Sequence, residues 1–103
     1  MNSEDQIIEG LRKIASDEDL AYPLRNYVFR LMRLHDVDVD LYSEEFMDFL
    51  YFLKSTEKIS QDVIEKISNL EWPKLRRVLV SIIPYLNIKG GGQVTQSTQS
   101  AQE

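Results

Sequence analysis

The sequence predicts an all-α fold, a small bundle of about five helices followed by a disordered C-terminal tail. Apolar residues recur at helical spacing in several segments, and Ser or Pro stands where most of these segments begin. From Lys89 onward the chain is rich in Gly, Gln, Ser and Thr, which bury too little apolar surface to offset the entropy of ordering. We therefore expect a helical bundle domain at residues 1–88 and a flexible tail at 89–103.

Length and composition limit the kind of protein this is. The 103 residues suffice for one domain with a modest core. The absence of cysteine excludes disulfides, thiolate metal sites and a thiol nucleophile. The polar, acidic start is unlike a signal peptide, and no apolar run approaches the roughly 20 residues of a membrane span. These features favour a cytoplasmic protein without membrane association.

Helix 1 is predicted from about Glu4 to Ala15. Ser3 and Gln6 have the spacing of a capping box, and an apolar stripe follows them. Gly10 inside this helix weakens it by about 1 kcal/mol relative to Ala. We interpret Gly10 as a tolerated glycine, with close approach of another backbone as the alternative.

Helix 2 is predicted from about Pro23 to Leu34, because proline suits a first helical position. The acidic segment 16–19 before it reads as a polar break. Phe29 falls on the polar side of this helix, between arginines. It is either an anchor for a partner or one side of a central helix that packs on two faces.

The alternating segment from Asp36 to Asp40 is predicted to be a solvated acidic loop, with a short extended strand as the alternative. Its aspartate spacing is similar to the start of a calcium loop. However, Leu41 and Met47 occupy the positions where such a loop needs Gly and Glu. The single histidine, His35, has no second His or Cys with which to form a metal site. No metal ion or cofactor is therefore expected.

Helix 3 is predicted from about Glu44 to Lys54, with Ser43 as its cap. Apolar side chains surround it almost completely, so it is either the buried centre of the bundle or shared with a partner. One predicted face carries Phe46, Phe49, Leu50 and Leu53, and the other sides carry Met47, Tyr51 and Phe52.

Two further helices complete the predicted bundle. Ser60 caps helix 4, which should span about Gln61 to Ser68. Helix 5 should begin at Pro73 and end or kink near Ile83, because Pro84 removes a hydrogen-bond donor. The apolar stripe of helix 5 consists of Leu75, Val78, Leu79, Ile82, Ile83 and Leu86.

No combination of residues matches a catalytic motif, so we expect no enzymatic activity. The charge is divided along the chain, with eight basic and fifteen acidic residues in 1–70 and four and two in 71–103. Separated charge favours oriented docking. We therefore predict a small adaptor or accessory subunit that binds a protein partner, and leave a homodimer open. The predicted partner-binding residues are Phe29, Tyr51, Phe52, Arg76 and Val80.

The alternative is a DNA- or RNA-binding regulator. Helices 4 and 5, joined by a short link, resemble a helix-turn-helix in outline, which would place the basic side of helix 5 in the major groove. A solvated basic face is the plainer interpretation, since the net charge is −5. The residues predicted for nucleic-acid binding are Lys74, Arg76, Arg77, Ser81, Arg30 and Arg33.

Overall fold

The computed structural model describes residues 2–86, which form an all-α bundle. Within this range the predicted fold class is confirmed, with five α-helices and a final 3₁₀ helix. The predicted tail at 89–103 and the end of the predicted domain at residue 88 lie outside the described residues. The elements are α1 (Ser3–Ala15), α2 (Glu18–Val37), α3 (Val39–Thr56), α4 (Gln61–Ser68), α5 (Trp72–Ile82) and the 3₁₀ helix Ile83–Leu86.

The core is organised around α1, which contacts α2, α4, α5 and the 3₁₀ helix. By contrast, α3 packs mainly against α2 and α4, and Phe49 and Leu53 are its buried residues. Helix 3 is therefore not the buried centre of the bundle. No polar or charged residue is buried in 2–86, so burial of apolar surface dominates the core. The core side chains with no exposed surface are Ile7, Leu11, Ile14, Leu24, Val28, Leu31, Phe49, Leu53, Ile67, Val78, Leu79 and Ile82.

Gly10 is required by a close contact between α1 and the segment that leads into α4. A Cβ added at Gly10 would lie 2.8 Å from Ile59 Cγ2, below the closest approach that carbon atoms normally make. The interpretation of Gly10 as a tolerated glycine was therefore wrong. The neighbour is a side chain rather than another backbone, which no local pattern in helix 1 could reveal.

The cap of α1 is Asn2 rather than Ser3. The Asp5 N–H donates to Asn2 Oδ1 at 2.9 Å, and the Gln6 N–H donates to the Asn2 carbonyl at 3.2 Å. The side chain of Gln6 accepts instead from Lys66 Nζ of α4. The predicted capping box does not form, because Asn2 caps as well as Ser does and leaves Gln6 free to join α1 to α4.

The α2 helix begins at Glu18, five residues before the predicted start at Pro23. Asp17 caps it, since Asp17 Oδ1 accepts from the Asp19 N–H at 2.8 Å. The additional turn buries Ala21 and half-buries Leu20 against the core. This burial outweighs the one hydrogen bond that Pro23 cannot donate within the helix.

The predicted acidic loop is a junction of one residue between two helices. Asp38 has extended backbone angles, and its N–H donates to the Leu34 carbonyl at 2.8 Å to end α2. Its side chain accepts from the Leu41 N–H at 3.1 Å and so caps α3, in place of Ser43. Val37 and Val39 on either side are 77% and 64% exposed. The alternation of Val and Asp therefore reflects capping and not a strand.

An aromatic cluster packs this junction against the start of α5. The imidazole of His35 stacks on the indole of Trp72, with 4.0 Å between ring centroids and 11° between planes. Tyr42 of α3 meets the edge of both rings, and burial raises the pKa of its hydroxyl. The lone histidine thus packs α2, α3 and α5 together.

The last two helices agree with the sequence-based prediction. Ser60 Oγ accepts from the Val63 N–H at 3.2 Å, and α4 has the predicted bounds. The predicted stripe of α5 faces the core, with Ile83 half-buried, and the helix changes to 3₁₀ geometry just before Pro84. The Ser60 cap marks the start of α4, and α5 begins without a side-chain cap but with Pro73 in its first turn.

Replacement of Asp38 by Ala should lower the free energy of unfolding by about 1 kcal/mol, because the first turn of α3 loses its cap. Ser43→Ala should change it by less than about 0.5 kcal/mol, since Ser43 is an exposed residue inside α3. Urea denaturation followed by far-UV circular dichroism measures both values. If Ser43→Ala lowered the free energy of unfolding more than Asp38→Ala does, Ser43 would be the cap of α3 instead.

Gly10→Ala should destabilise the protein by about 1 kcal/mol, because strain against Ile59 exceeds the gain in helix propensity. In an Ile59→Ala background the same change should stabilise it by up to about 1 kcal/mol, since the next atom, Val63 Cγ1, is 3.8 Å away. Thermal denaturation of the four proteins of this cycle provides the test. An equal effect in both backgrounds would contradict the proposed contact.

Candidate partner-binding groove

An apolar groove runs between α3 and α4 on the surface of the bundle. Its volume is about 230 Å³. Ile64 is buried at its base, Leu50 is half-buried, and the side chains at the opening are exposed. The residues that line it are Met47, Leu50, Tyr51, Lys54, Gln61, Ile64, Glu65 and Ser68.

The connection between α3 and α4 shapes this groove. Glu57 ends α3 with a left-handed backbone, at φ 58°, which reverses the chain within four residues. The side chains of Ser55 and Thr56 donate to carbonyls of the preceding turn, each at 2.7 Å. The eight residues of α4 then fold back along a helix of eighteen residues. The shorter helix leaves part of the α3 surface uncovered.

The exposed apolar surface of the groove comes from two residues one turn apart. Met47 is 50% exposed and Tyr51 is 66% exposed, and both occur at i, i+4 on α3. A methionine side chain adapts to irregular shapes, and a tyrosine offers a large ring with a polar end. Such a pair is suited to contact with an apolar side chain from another molecule.

Acidic side chains flank the groove. Asp40, Glu44 and Asp48 follow one another at four-residue spacing along α3, and we call them the acidic ridge. Glu65 lies in the groove wall formed by α4, and Lys54 is the basic residue among the groove-lining side chains. Within residues 2–86, neither Glu65 nor any residue of the acidic ridge forms an ion pair. This side of the bundle therefore presents negative charge that the described residues leave unpaired.

The structure separates the two aromatic residues of α3 that were predicted to bind a partner. Tyr51 lines the groove. Phe52 is half-buried and stacks on Tyr27 of α2, with ring centroids 5.1 Å apart. Burial is the main cause of the raised pKa of Tyr27, followed by the negative charges of Asp48 and Glu45. Phe52 thus serves mainly to join α3 to α2.

The other predicted partner-binding residues lie outside the lining of the groove. Phe29 is exposed on α2, where the guanidinium of Arg25 lies 5.4 Å from the centroid of its ring. Arg76 and Val80 are exposed on α5. The five predicted partner-binding residues thus lie on three helices, as the predicted helices imply, and Tyr51 is the one among them that lines the groove.

Two of the arginines predicted for nucleic-acid binding form ion pairs within the protein. Arg77 donates to both carboxylate oxygens of Glu4 in α1, at 3.2 and 3.0 Å, and this hydrogen bonding lowers the pKa of Glu4. Arg30 is paired with Glu45 at 2.6 Å.

The remaining predicted positions do not form one basic surface. Ser81 Oγ donates to the Arg77 carbonyl at 2.8 Å. Lys74, Arg76 and Arg33 make no ion pair in the part of the chain that the structure describes. The first two are on α5 and the third is on α2, so only a small basic footprint is left for a nucleic acid.

A second cavity, of about 360 Å³, lies between α1 and the start of α4. Its walls carry lysines and carboxylates together, so it favours no single sign of ligand charge. The charged lining residues are Glu9, Lys13, Lys58, Asp62 and Lys66.

The described residues contain no group of three or more histidine or acidic side chains placed to hold a metal ion. The aspartates from Asp36 to Asp40 instead occupy the end of one helix and the start of the next. None of the helices in 2–86 is both long and apolar enough to cross a membrane.

Comparisons of the chain with protein-family models, curated proteins and solved structures found no match.

Sequence reasoning identified Tyr51 but did not assign a role to Met47 or to the α4 residues of the groove. The spacing of Met47 and Tyr51 at i, i+4 was a usable signal, because such residues share one face of a helix. Ile64 gave no comparable signal, since its apolar character fits any core position. The groove exists only because α4 folds back beside α3.

Tyr51→Ala should change the free energy of unfolding by less than about 0.5 kcal/mol, because its side chain is mostly exposed. Phe52→Ala should lower it by about 2 kcal/mol, since the stacking and packing against Tyr27 are lost. Chemical denaturation of the two variants distinguishes these roles. Equal destabilisation by both would place Tyr51 in the core and remove it from the groove surface.

Proposed function

We propose that this protein is a small, non-enzymatic adaptor or accessory subunit that binds a helical segment of a protein partner in the groove between α3 and α4. The observation that carries the proposal is the exposure of Met47 and Tyr51, which lie one turn apart on the α3 wall of a concave apolar surface. Removing this surface from water is favourable at about 25 cal/mol per Å². A helix placed along a groove is a common way to cover such a surface.

The size of the groove favours a side chain over a small molecule. Small-molecule sites usually enclose about 300–1,000 Å³ and bury most of their ligand. The groove holds about 230 Å³ and is open to solvent along α3 and α4. One or two apolar side chains of a partner helix fit this volume.

Charge disfavours nucleic acid as the main ligand. The net charge is −5, and two arginines of the predicted basic surface, Arg30 and Arg77, are neutralised by carboxylates. Nucleic-acid binding draws most of its affinity from free cationic side chains against phosphates. A protein partner in the groove needs no such surface.

A photo-reactive benzoylphenylalanine introduced at Tyr51 should cross-link to a partner protein in native lysate. Introduced at Tyr85, an exposed tyrosine on the 3₁₀ helix, it should give little of the same product. The measurement is the yield of cross-linked product by mass spectrometry, together with recovery by a tagged Met47→Ser/Tyr51→Ser variant. That variant should recover at least about tenfold less partner, because its anchoring surface is gone.

Other outcomes would contradict the proposal. If the Met47→Ser/Tyr51→Ser variant recovered as much partner protein as the unmodified protein, the groove would not be the binding site. Salt-sensitive retention of a random DNA duplex, abolished by Lys74→Glu or Arg76→Glu, would favour the nucleic-acid alternative instead.

A further inference from the structure

We infer that the groove recognises a basic amphipathic helix, whose apolar residues contact Met47 and Tyr51 and whose Lys or Arg side chains meet the acidic ridge. This inference rests on the proposed function and adds the chemical class of the partner. It depends on the placement of charge around the groove, which the proposed function does not use.

Two residues of the acidic ridge, Glu44 and Asp48, lie directly beside the apolar surface of the groove. On a helix, residues three or four apart are neighbours, so Glu44 adjoins Met47 and Asp48 adjoins Tyr51. A partner helix that reaches both apolar residues therefore passes within reach of the carboxylates. Positive charges on the flank of that helix would form ion pairs at the edge of a partly dehydrated interface.

No ion pair within residues 2–86 offsets the repulsion between the carboxylates of the acidic ridge. Like charges at i, i+4 destabilise a helix, and Asp40, Glu44 and Asp48 form two such pairs in succession. The described arginine and lysine ion pairs are made elsewhere, to Glu4, Asp17 and Glu45. A cationic partner would supply the compensation that no ion pair within residues 2–86 provides.

The opposite wall of the groove has the same sign. Glu65 of α4 faces the groove, and Lys54 alone among the lining residues is basic. A partner helix would thus meet Glu65 on the α4 side as well as Glu44 and Asp48 on the α3 side, with Lys54 as the one basic lining residue.

The same charge distribution disfavours a second copy of this chain as the occupant. A symmetric dimer through the groove would bring two acidic ridges to one interface. Each chain also carries a net charge of −5. Like charges that face each other cost binding energy and lower the association rate, so a homodimer through this face is disfavoured.

The experiment uses the full chain and two synthetic helical peptides of about five turns. Both peptides carry one stripe of leucines, flanked by lysines in the first and by glutamates in the second. A third peptide has the composition of the first in scrambled order. Isothermal titration measures the affinities, and ¹H–¹⁵N spectra locate the binding surface.

The basic amphipathic peptide should bind at least about tenfold more tightly than the acidic peptide at low salt, and this preference should shrink as salt rises. The scrambled peptide should bind at least about tenfold more weakly than the ordered basic peptide. Spectral changes should concentrate at Met47, Tyr51 and Ile64, and Met47→Ser/Tyr51→Ser should abolish them.

Matched variants separate local charge from net charge. Glu44→Gln with Asp48→Asn should reduce the preference for the basic peptide by at least about threefold. The control is Glu9→Gln with Glu18→Gln, which likewise removes two negative charges, at exposed positions of α1 and α2 outside the groove lining. This control should leave the preference for the basic peptide nearly unchanged. Equal effects of the two double variants would show a nonspecific charge effect and overturn the inference.

The failure of this inference is distinguishable from failure of the proposed function. Equal or tighter binding of the acidic peptide in the groove would refute the basic partner but retain groove binding. Failure of all three peptides, while residue 51 cross-links to a partner in lysate, would also refute the basic partner alone. If residue 51 cross-links to no partner and no peptide changes the spectra of the groove residues, both the proposed function and this inference are refuted. Spectral changes confined to other surfaces would overturn the assignment of the site.

Discussion

The contact between Gly10 and Ile59 lets the start of α4 pack closely against α1, and the groove between α3 and α4 depends on the position of α4. Because Gly10 has no side chain, the Ile59 methyl group can sit directly on α1. This seats the start of α4 against α1, and the contact between Gln6 and Lys66 holds the same two helices farther along. With α4 held in this way and joined to α3 by a tight reversal, the groove between them has a defined shape.

Aspartate side chains set the lengths of α2 and α3. Asp17 and Asp38 each accept a backbone N–H at the start of a helix, and Asp38 also ends the preceding helix through its own N–H. A junction of one residue makes α2 and α3 close neighbours. The stack of His35 on Trp72 then joins this junction to α5, so aromatic contacts hold the three helices together.

Charge is distributed unevenly over the finished bundle. Arg30 and Arg77 are paired with carboxylates, which reduces the basic surface that the sequence suggests for α2 and α5. The acidic ridge of α3 has no such partner among the described residues. The two proposals therefore share one surface, where exposed apolar side chains and unpaired negative charge coincide. In these proposals the volume of the groove limits which side chains can enter it, and the negative charge beside it favours a basic partner.

The linear pattern of residues is enough to predict the all-α class, the apolar stripes of α1 and α5 and the bounds of α4. Periodicity and capping act over a few residues, so a linear pattern reports them directly. It also pointed to Tyr51 as a residue not needed by the core.

Packing of the whole bundle sets the early start of α2, the role of Asp38, the close contact at Gly10 and the separation of Tyr51 from Phe52. Each depends on a contact between segments or on a choice between competing caps. Such outcomes are set by how much apolar surface the whole bundle buries, and local propensity differs too little between the alternatives to select one. The groove belongs to this second class, because it forms only when α4, which packs on α1, folds back beside α3.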